Sequence, residues 1–195
     1  MSPFNPAQHH RCSIRLPKYD YTQPGAYFVT IVTHARELLF EDGARRRIVE
    51  AALQQIPHHC PDVQLDEWIV MPNHVHAIIW IVDDNRRGEA RFADKESMSI
   101  GTFTVPGTAL GLERTAAKRA SPLPPGSLGA IVGNFKSITT RRINQLRNTP
   151  GQPVWQRNYY EHIIRHDKEL NAIRQYILDN PGNWTSDTEN PDRLS

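Results

Sequence analysis

Two strand-like segments joined by a tight turn constrain the fold of this chain more than any other feature. Apolar and polar residues alternate over 63–70 well enough for a β-strand. Pro72-Asn73 makes a short connection to residues 74–82, which end in the apolar run AIIWIV. Strands with so few residues between them pair as an antiparallel hairpin. The chain is therefore expected to build its sheet around this hairpin.

The other periodic segments place two more strands and three helices around the hairpin. Residues 26–33 are rich in β-branched and aromatic side chains, which indicates a strand. The spacing of apolar residues predicts, in chain order, a helix over 42–55, a helix over 127–146, a short strand near 159–164 and a helix over 167–180. The last helix is expected to have Asp167 as its N-cap and to be stopped by Pro181-Gly182. The predicted fold class is α+β: a ferredoxin-like split βαβ, with an antiparallel sheet, helices on one face and an appended C-terminal helix.

The composition predicts one domain with an insertion and a tail. Residues 1–184 are expected to form a single domain. Within it, Gly, Ser, Thr, Pro and charged residues dominate residues 83–126, which indicates a mobile insertion. Residues 185–195 contain three acids and one arginine, which favours a flexible acidic tail.

Charge and cysteine content exclude few functions but suggest a compartment. The chain has 23 basic and 21 acidic residues, so its total charge implies neither a nucleic-acid binder nor an acidic protein. Residues 111–147 are strongly basic by contrast, which fits a surface that contacts phosphates or, equally, a solvated helix face. Two cysteines form no disulfide framework, and no segment resembles a signal peptide or reaches membrane-spanning length. We expect a cytoplasmic, nucleoid-associated protein with no membrane partner.

A possible metal site lies on the second strand of the hairpin. His74 and His76 are two residues apart, so their side chains leave the same face of the sheet, about 7 Å apart along the strand. Two imidazoles held in this way can bind one divalent metal ion. They could equally be two hydrogen-bonded histidines of the core.

The last predicted helix carries a phenol and an amide that could join this pair. Tyr176 and Asn180 are four residues apart and share one helix face. Tyr176 could be a nucleophile, and the carbonyl oxygen of Asn180 could bind a metal. A helical tyrosine is more often a packed aromatic, and Tyr159 and Tyr160 are rival nucleophiles. Two tryptophans, Trp155 and Trp184, could pack in the core or stack on an unpaired base.

The His-Val-His motif together with the later Tyr-x-x-x-Asn helix resembles the HUH nucleases, and specifically the REP-associated tyrosine transposases, which use a single tyrosine. The segments that carry the resemblance are 19–33 (YDYTQPGAYFVTIVT), 68–80 (WIVMPNHVHAIIW), 128–144 (LGAIVGNFKSITTRRIN) and 154–184 (VWQRNYYEHIIRHDKELNAIRQYILDNPGNW). They cover most of the chain outside the insertion.

The resemblance implies a role for each of the four residues. Tyr176 falls at the nucleophile, and His74, His76 and Asn180 fall at the metal ligands. The implied reaction is cleavage of one DNA strand through a 5′-phosphotyrosine link, with Mg²⁺ or Mn²⁺ as cofactor. Such a mixed nitrogen and oxygen ligand set suits these ions better than zinc.

The resemblance also implies a single-stranded or hairpin DNA partner, derived from repetitive extragenic palindromes. The residues expected to contact DNA are basic or imidazole side chains of the C-terminal half: Lys136, Arg141, Arg142, Arg157, Arg165 and His162. The protein is expected to be a monomer or homodimer. Two other functions remain open at this point: a hairpin-binding protein that does not cut, and a metal hydrolase acting on a small substrate.

Overall fold

A four-stranded antiparallel sheet forms the centre of the protein. The computed structural model describes residues 19–82, 123–124 and 126–193. The strands are β1 (Gly25–Val32), β2 (Val63–Val70), β3 (His74–Ile81) and β4 (Tyr160–Ile164). Their order across the sheet is β2-β3-β1-β4, with every neighbouring pair antiparallel. The hairpin expected at Pro72-Asn73 is therefore confirmed, and β3 and β1 are the two central strands.

Four helices pack against this sheet. They are α1 (Gly43–Gln54), α2 (Ile56–His59), α3 (Leu128–Leu146) and α4 (Asp167–Asp179). Two caps follow directly from the sequence: the Asp42 carboxylate accepts from the amides of Ala44 and Arg45, and the Ser127 hydroxyl accepts from the amide of Ala130. The element order and the strand order confirm the α+β fold class.

The two faces of the sheet bury separate apolar clusters. One face carries Tyr27, Val29 and Ile31 of β1 and is covered by α1 and α3. The other face carries Ala26 and Phe28 and is covered by the stripe of Leu170, Ile173 and Ile177 on α4. Because strand side chains alternate, the even-numbered residues of β3 face α4. This alternation places both histidines under the appended helix.

Helix α4 begins and ends differently from the sequence-based expectation. Asp167 was the expected N-cap, but His166 caps the helix, and its Nδ1 accepts from the amide of Glu169 at 3.2 Å. Pro181-Gly182 was expected to end the helix. Proline at the start of a helix costs no hydrogen bond, so a 3-10 helix follows instead over Asn180–Ser186.

Part of the acidic segment for which a flexible tail was predicted contacts the rest of the protein. Glu189 is buried, its carboxylate lies 3.1 Å from Arg36, and its carbonyl oxygen accepts from Asn73 Nδ2 at 2.6 Å. These contacts hold the segment against the sheet beside His74. Most of the predicted insertion over 83–126 lies outside the described residues. No helix in the described ranges is both long and apolar enough to cross a membrane.

Candidate active site

The His74 and His76 side chains meet at a buried point under α4. They are 0% and 1% exposed, and their Nε2 atoms are 3.0 Å apart. The register of β3 against β1 places His74 beside Val32 and His76 beside Thr30. Two ring nitrogens in van der Waals contact need either a proton or a cation between them.

Hydrogen bonds to the far side of each ring orient the imidazoles. His74 Nδ1 lies 2.8 Å from Asn73 Oδ1, which can only accept, so this nitrogen carries a hydrogen. The amide of Asn73 is itself fixed, because its Nδ2 donates to two backbone carbonyls. His76 Nδ1 lies 2.9 Å from Thr30 Oγ1, which can accept a hydrogen in the same way. With both hydrogens on Nδ1, the Nε2 lone pairs face each other, the orientation that metal-binding histidines adopt.

Tyr176 reaches the histidine pair from α4. Its Oη lies 3.4 Å from His76 Nε2, and its ring packs edge-on against His76 and Phe28. Burial, together with the negative charge of Asp187, raises the pKa of Tyr176 above its usual value of 10. The phenol is therefore neutral in the protein alone.

Asn180 lies one helical turn after Tyr176 and is buried. Its side-chain amide makes a hydrogen bond that lowers the pKa of Tyr176, against the larger effect of burial. Its Oδ1 is fully buried and, among the residues that the structure describes, accepts no hydrogen bond. A buried carbonyl oxygen that accepts no hydrogen bond is energetically unfavourable unless a cation or a water molecule binds to it.

Asp187 is a neighbour that the sequence did not predict. Its Oδ2 lies 3.8 Å from His74 Nε2, and one ligand atom each of His74, His76 and Asp187 fall within 4.8 Å of one another. These three residues could hold a metal ion. Burial raises the pKa of Asp187. No spacing rule pointed to this residue, because the 3-10 helix that positions it was itself unexpected.

The rival tyrosines lie on opposite faces of the sheet. Tyr160 is buried on the histidine face, 6.2 Å from Phe28 between ring centroids, and burial raises its pKa to about 12. Tyr159 packs on the other face against the α1 and α3 side. Of the three tyrosines, Tyr176 is the one whose hydroxyl has a contact to His76.

The two tryptophans have different surroundings. Trp155 is buried in the core and donates to Thr139 Oγ1 at 2.9 Å, so it packs rather than offering a surface for a base. Trp184 is partly exposed and lies 6.1 Å from His74 between ring centroids. It forms part of the cover over the histidine pair.

The residues expected to contact DNA do not form one patch. Arg141 and Arg157 line a single groove beside α3, whereas Arg142 lines a smaller cavity between α1 and α3. Arg165 is exposed at the turn between β4 and α4. The other two are engaged within the protein: Lys136 donates to three backbone carbonyls, and His162 Nε2 lies 2.7 Å from Glu169.

Fold and site together define a ferredoxin-like α+β protein with a histidine pair and a tyrosine at one buried centre. A Haemophilus influenzae protein of uncharacterised function is 33% identical over 192 residues, which cover 94% of this chain and 95% of that protein. The chain belongs to the same family as this protein. No family model matches it.

Two solved structures share a more distant likeness. One is a REP-associated tyrosine transposase bound to a REP hairpin, with 16% identity, 86% of this chain and 72% of that chain covered, and a TM-score of 0.49. The other is a proposed transposase of Deinococcus radiodurans, with 17% identity, coverage of 83% and 93%, and a TM-score of 0.43. At such low identities and TM-scores, the role of a residue in these structures does not carry over to this chain. The chemistry of this chain follows from the geometry of its own site.

Proposed function

We propose that this protein is a transposase-like enzyme that cuts one strand of hairpin-forming DNA, with Tyr176 as the nucleophile. The observation that carries the proposal is the position of Tyr176 Oη, 3.4 Å from Nε2 of His76, which in turn lies 3.0 Å from Nε2 of His74. A phenol beside two imidazoles oriented for a cation is the arrangement expected from the resemblance to HUH nucleases.

The tyrosine supplies the covalent step. Its oxygen attacks the scissile phosphorus, a phosphotyrosine bond to the 5′ side forms, and the bond from phosphorus to the 3′ oxygen breaks. The phenol loses its proton, and the departing 3′ oxygen gains one. The link keeps the energy of the phosphodiester, so the strand can be rejoined without ATP.

The ligand atoms fit a divalent cation. Two nitrogens bound to one ion at right angles, each at about 2.1 Å, are about 3.0 Å apart, which is the separation of the two Nε2 atoms. The buried Oδ1 of Asn180 and the carboxylate of Asp187 add two oxygens. This mixed set suits Mn²⁺ or Mg²⁺. When bound, the cation would neutralise charge on the phosphate and favour the phenolate.

The burial of the centre favours a single strand as substrate. His74, His76 and Asn180 are almost fully buried, and an unpaired strand is less bulky than a duplex and can approach such atoms more closely. The resemblance to REP-associated tyrosine transposases supports repeat-derived hairpins, which present such a strand beside a folded stem.

The test is a cleavage assay on hairpin oligonucleotides taken from repeats in the source genome, in Mn²⁺ and in Mg²⁺, with adducts separated on denaturing gels. We expect a metal-dependent covalent adduct in the wild type and none in Tyr176→Phe. The matched control is Tyr160→Phe, which removes another tyrosine hydroxyl on the same face and should still form the adduct.

Two results would overturn this assignment. Adduct formation by Tyr176→Phe would exclude this nucleophile. Tight hairpin binding without cleavage in any divalent metal would instead favour a DNA-binding protein that does not cut.

A further inference from the structure

An open groove runs between the second half of α3 and the segment 148–157. Its cavity volume is about 830 Å³, and Ser137, Thr140, Arg141, Pro150, Pro153 and Arg157 are among the residues that line it. None of the described lining residues is Asp or Glu. The groove therefore combines an apolar floor with an excess of positive charge, which suits an anionic ligand that also has flat apolar parts.

The walls of the groove are held by internal hydrogen bonds. Lys136 Nζ donates to the carbonyls of Gln156 and Asn158, each at 3.0 Å, and to that of Arg157 at 3.4 Å. Asn144 Nδ2 donates to the carbonyl of Gln152 at 2.7 Å. These bonds fix the segment relative to α3, so the groove exists before any ligand arrives.

Two arginines of the groove have guanidinium groups available for a ligand. Arg141 and Arg157 are exposed, and neither guanidinium makes a hydrogen bond or ion pair with the part of the chain that the structure describes. Arg142 is also exposed and follows Arg141 directly, but it lines the separate cavity near His59 and Cys60. Arg141 and Arg142 are adjacent on α3 but line different surfaces.

The groove begins close to the candidate active site. The amide of Gln156 donates to the carbonyl of Val32 at 2.9 Å, and Val32 is paired with His74 on the other side of β1. Neighbouring strands are separated by about 4.8 Å, so the backbone of Gln156 lies about 10 Å from that of His74. The groove lies on the α3 face and the histidines lie on the α4 face, so a strand that joins the two has to pass the edge of the sheet beside β4.

We propose that this groove binds the single-stranded DNA leading away from the scissile phosphate, with Arg141 and Arg157 contacting its phosphates. The proposal rests on the proposed function for the identity of the ligand. The volume suits a few nucleotides. The exposed Pro150 and Pro153 offer apolar surface to the bases, and contacts to phosphates carry no sequence preference.

The experiment measures binding of a fluorescent oligothymidylate of about ten nucleotides, by anisotropy, across about 50 to 200 mM salt. We expect Arg141→Ala and Arg157→Ala each to weaken binding by about fivefold and to lower the salt slope by about 0.7. Arg47→Ala, the control, removes an exposed arginine of α1 that does not line the groove and should change the affinity by less than about twofold. Equal losses in Arg141→Ala and Arg47→Ala, or none in Arg141→Ala and Arg157→Ala, would overturn the groove assignment.

A separate readout distinguishes failure of the groove from failure of the proposed function. Oligothymidylate binding needs no cleavage, so it is measured independently of adduct formation. The expected arginine pattern with no covalent adduct would retain the groove and reject the nuclease. Adduct formation with no arginine pattern would retain the nuclease and reject the groove.

Discussion

Arg174 binds both carboxylate oxygens of Asp66, with Nη2 to Oδ2 at 2.6 Å and Nε to Oδ1 at 3.2 Å. Trp80 Nε1 donates to the same carboxylate at 3.1 Å. Val63 and Leu65 of β2 pack on the α1 and α3 side of the sheet, so the alternation of strand side chains turns Asp66 toward α4. Arg174 lies two residues before Tyr176, so the pair fixes the helix that carries the candidate nucleophile.

Breaking this pair should impair catalysis more than DNA binding. In Arg174→Gln the buried Asp66 loses its charged partner, and we expect the free energy of unfolding to fall by about 1–3 kcal/mol, measured by urea denaturation. The rate of adduct formation should fall at least tenfold, about 1.4 kcal/mol, because Tyr176 is then less well positioned. Hairpin affinity should stay within about twofold.

A neutral pair provides the control for that prediction. In Asp66→Asn with Arg174→Gln, two amides can bond to each other, so the double variant should lose less stability than the sum of the single variants. Lys168→Gln, on the exposed side of α4, should behave as wild type. A simple sum of effects would contradict a direct coupling of Asp66 and Arg174.

The hydroxyl of Thr30 should control metal affinity. Thr30→Val keeps the shape of the side chain but removes the acceptor beside His76 Nδ1, so the ring can turn or change tautomer. We expect Mn²⁺ to bind about 10- to 100-fold more weakly, measured by calorimetry without DNA. Thr30→Ser retains the hydroxyl and should bind within a few fold of the wild type. Unchanged affinity in Thr30→Val would mean that this hydrogen bond does not orient the ligand.

Metal should stabilise the fold through the same centre. Because Asp187 is distant in the sequence from the pair His74 and His76, an ion that joins all three binds the folded state and adds about 2.7 kcal/mol at 100 times its dissociation constant. Thermal unfolding with Mn²⁺ should show this increase in the wild type and lose it with EDTA. Asp187→Asn should show a smaller increase, and His74→Ala with His76→Ala none.

The burial of Lys136 should make the free energy of unfolding depend on pH in the alkaline range. Burial lowers the pKa of Lys136 from 10.5 to about 8. Between these values the folded protein has released a proton that the unfolded chain still holds, so the free energy of unfolding contributed by this group rises with pH across that window. In Lys136→Met this rise should be absent. Urea denaturation of both proteins at about pH 7 and about pH 10 measures the difference.

Much of the fold could be predicted because its signals are local. The alternation in residues 63–70 and the short turn at Pro72-Asn73 determined a hairpin, and the periodicity of α3 and α4 gave their apolar faces. The same alternation placed His74 and His76 on one face. The contact between Tyr176 and His76 depends on how α4 packs against the sheet, so local sequence patterns could not predict it.

The remaining features depend on tertiary context. Asp187 lies beside His74 because a 3-10 helix continues through Pro181, which local rules treat as a stop. Asp66 meets Arg174 because α4 packs across β2, a contact between residues far apart in the sequence. Lys136 looked like a DNA contact by charge, but its ammonium is held by three carbonyls that become neighbours only after folding.

The contact between Tyr176 and His76 lies within one chain, and this has a consequence for stoichiometry. Each polypeptide contains every side chain of the proposed centre and a single nucleophile, so it can hold one DNA end at a time. Adduct yield should therefore grow in proportion to protein concentration, and mixing His74→Ala with Tyr176→Phe should not restore cleavage. Joining two DNA ends would then require either two copies of the protein or two successive reactions on one.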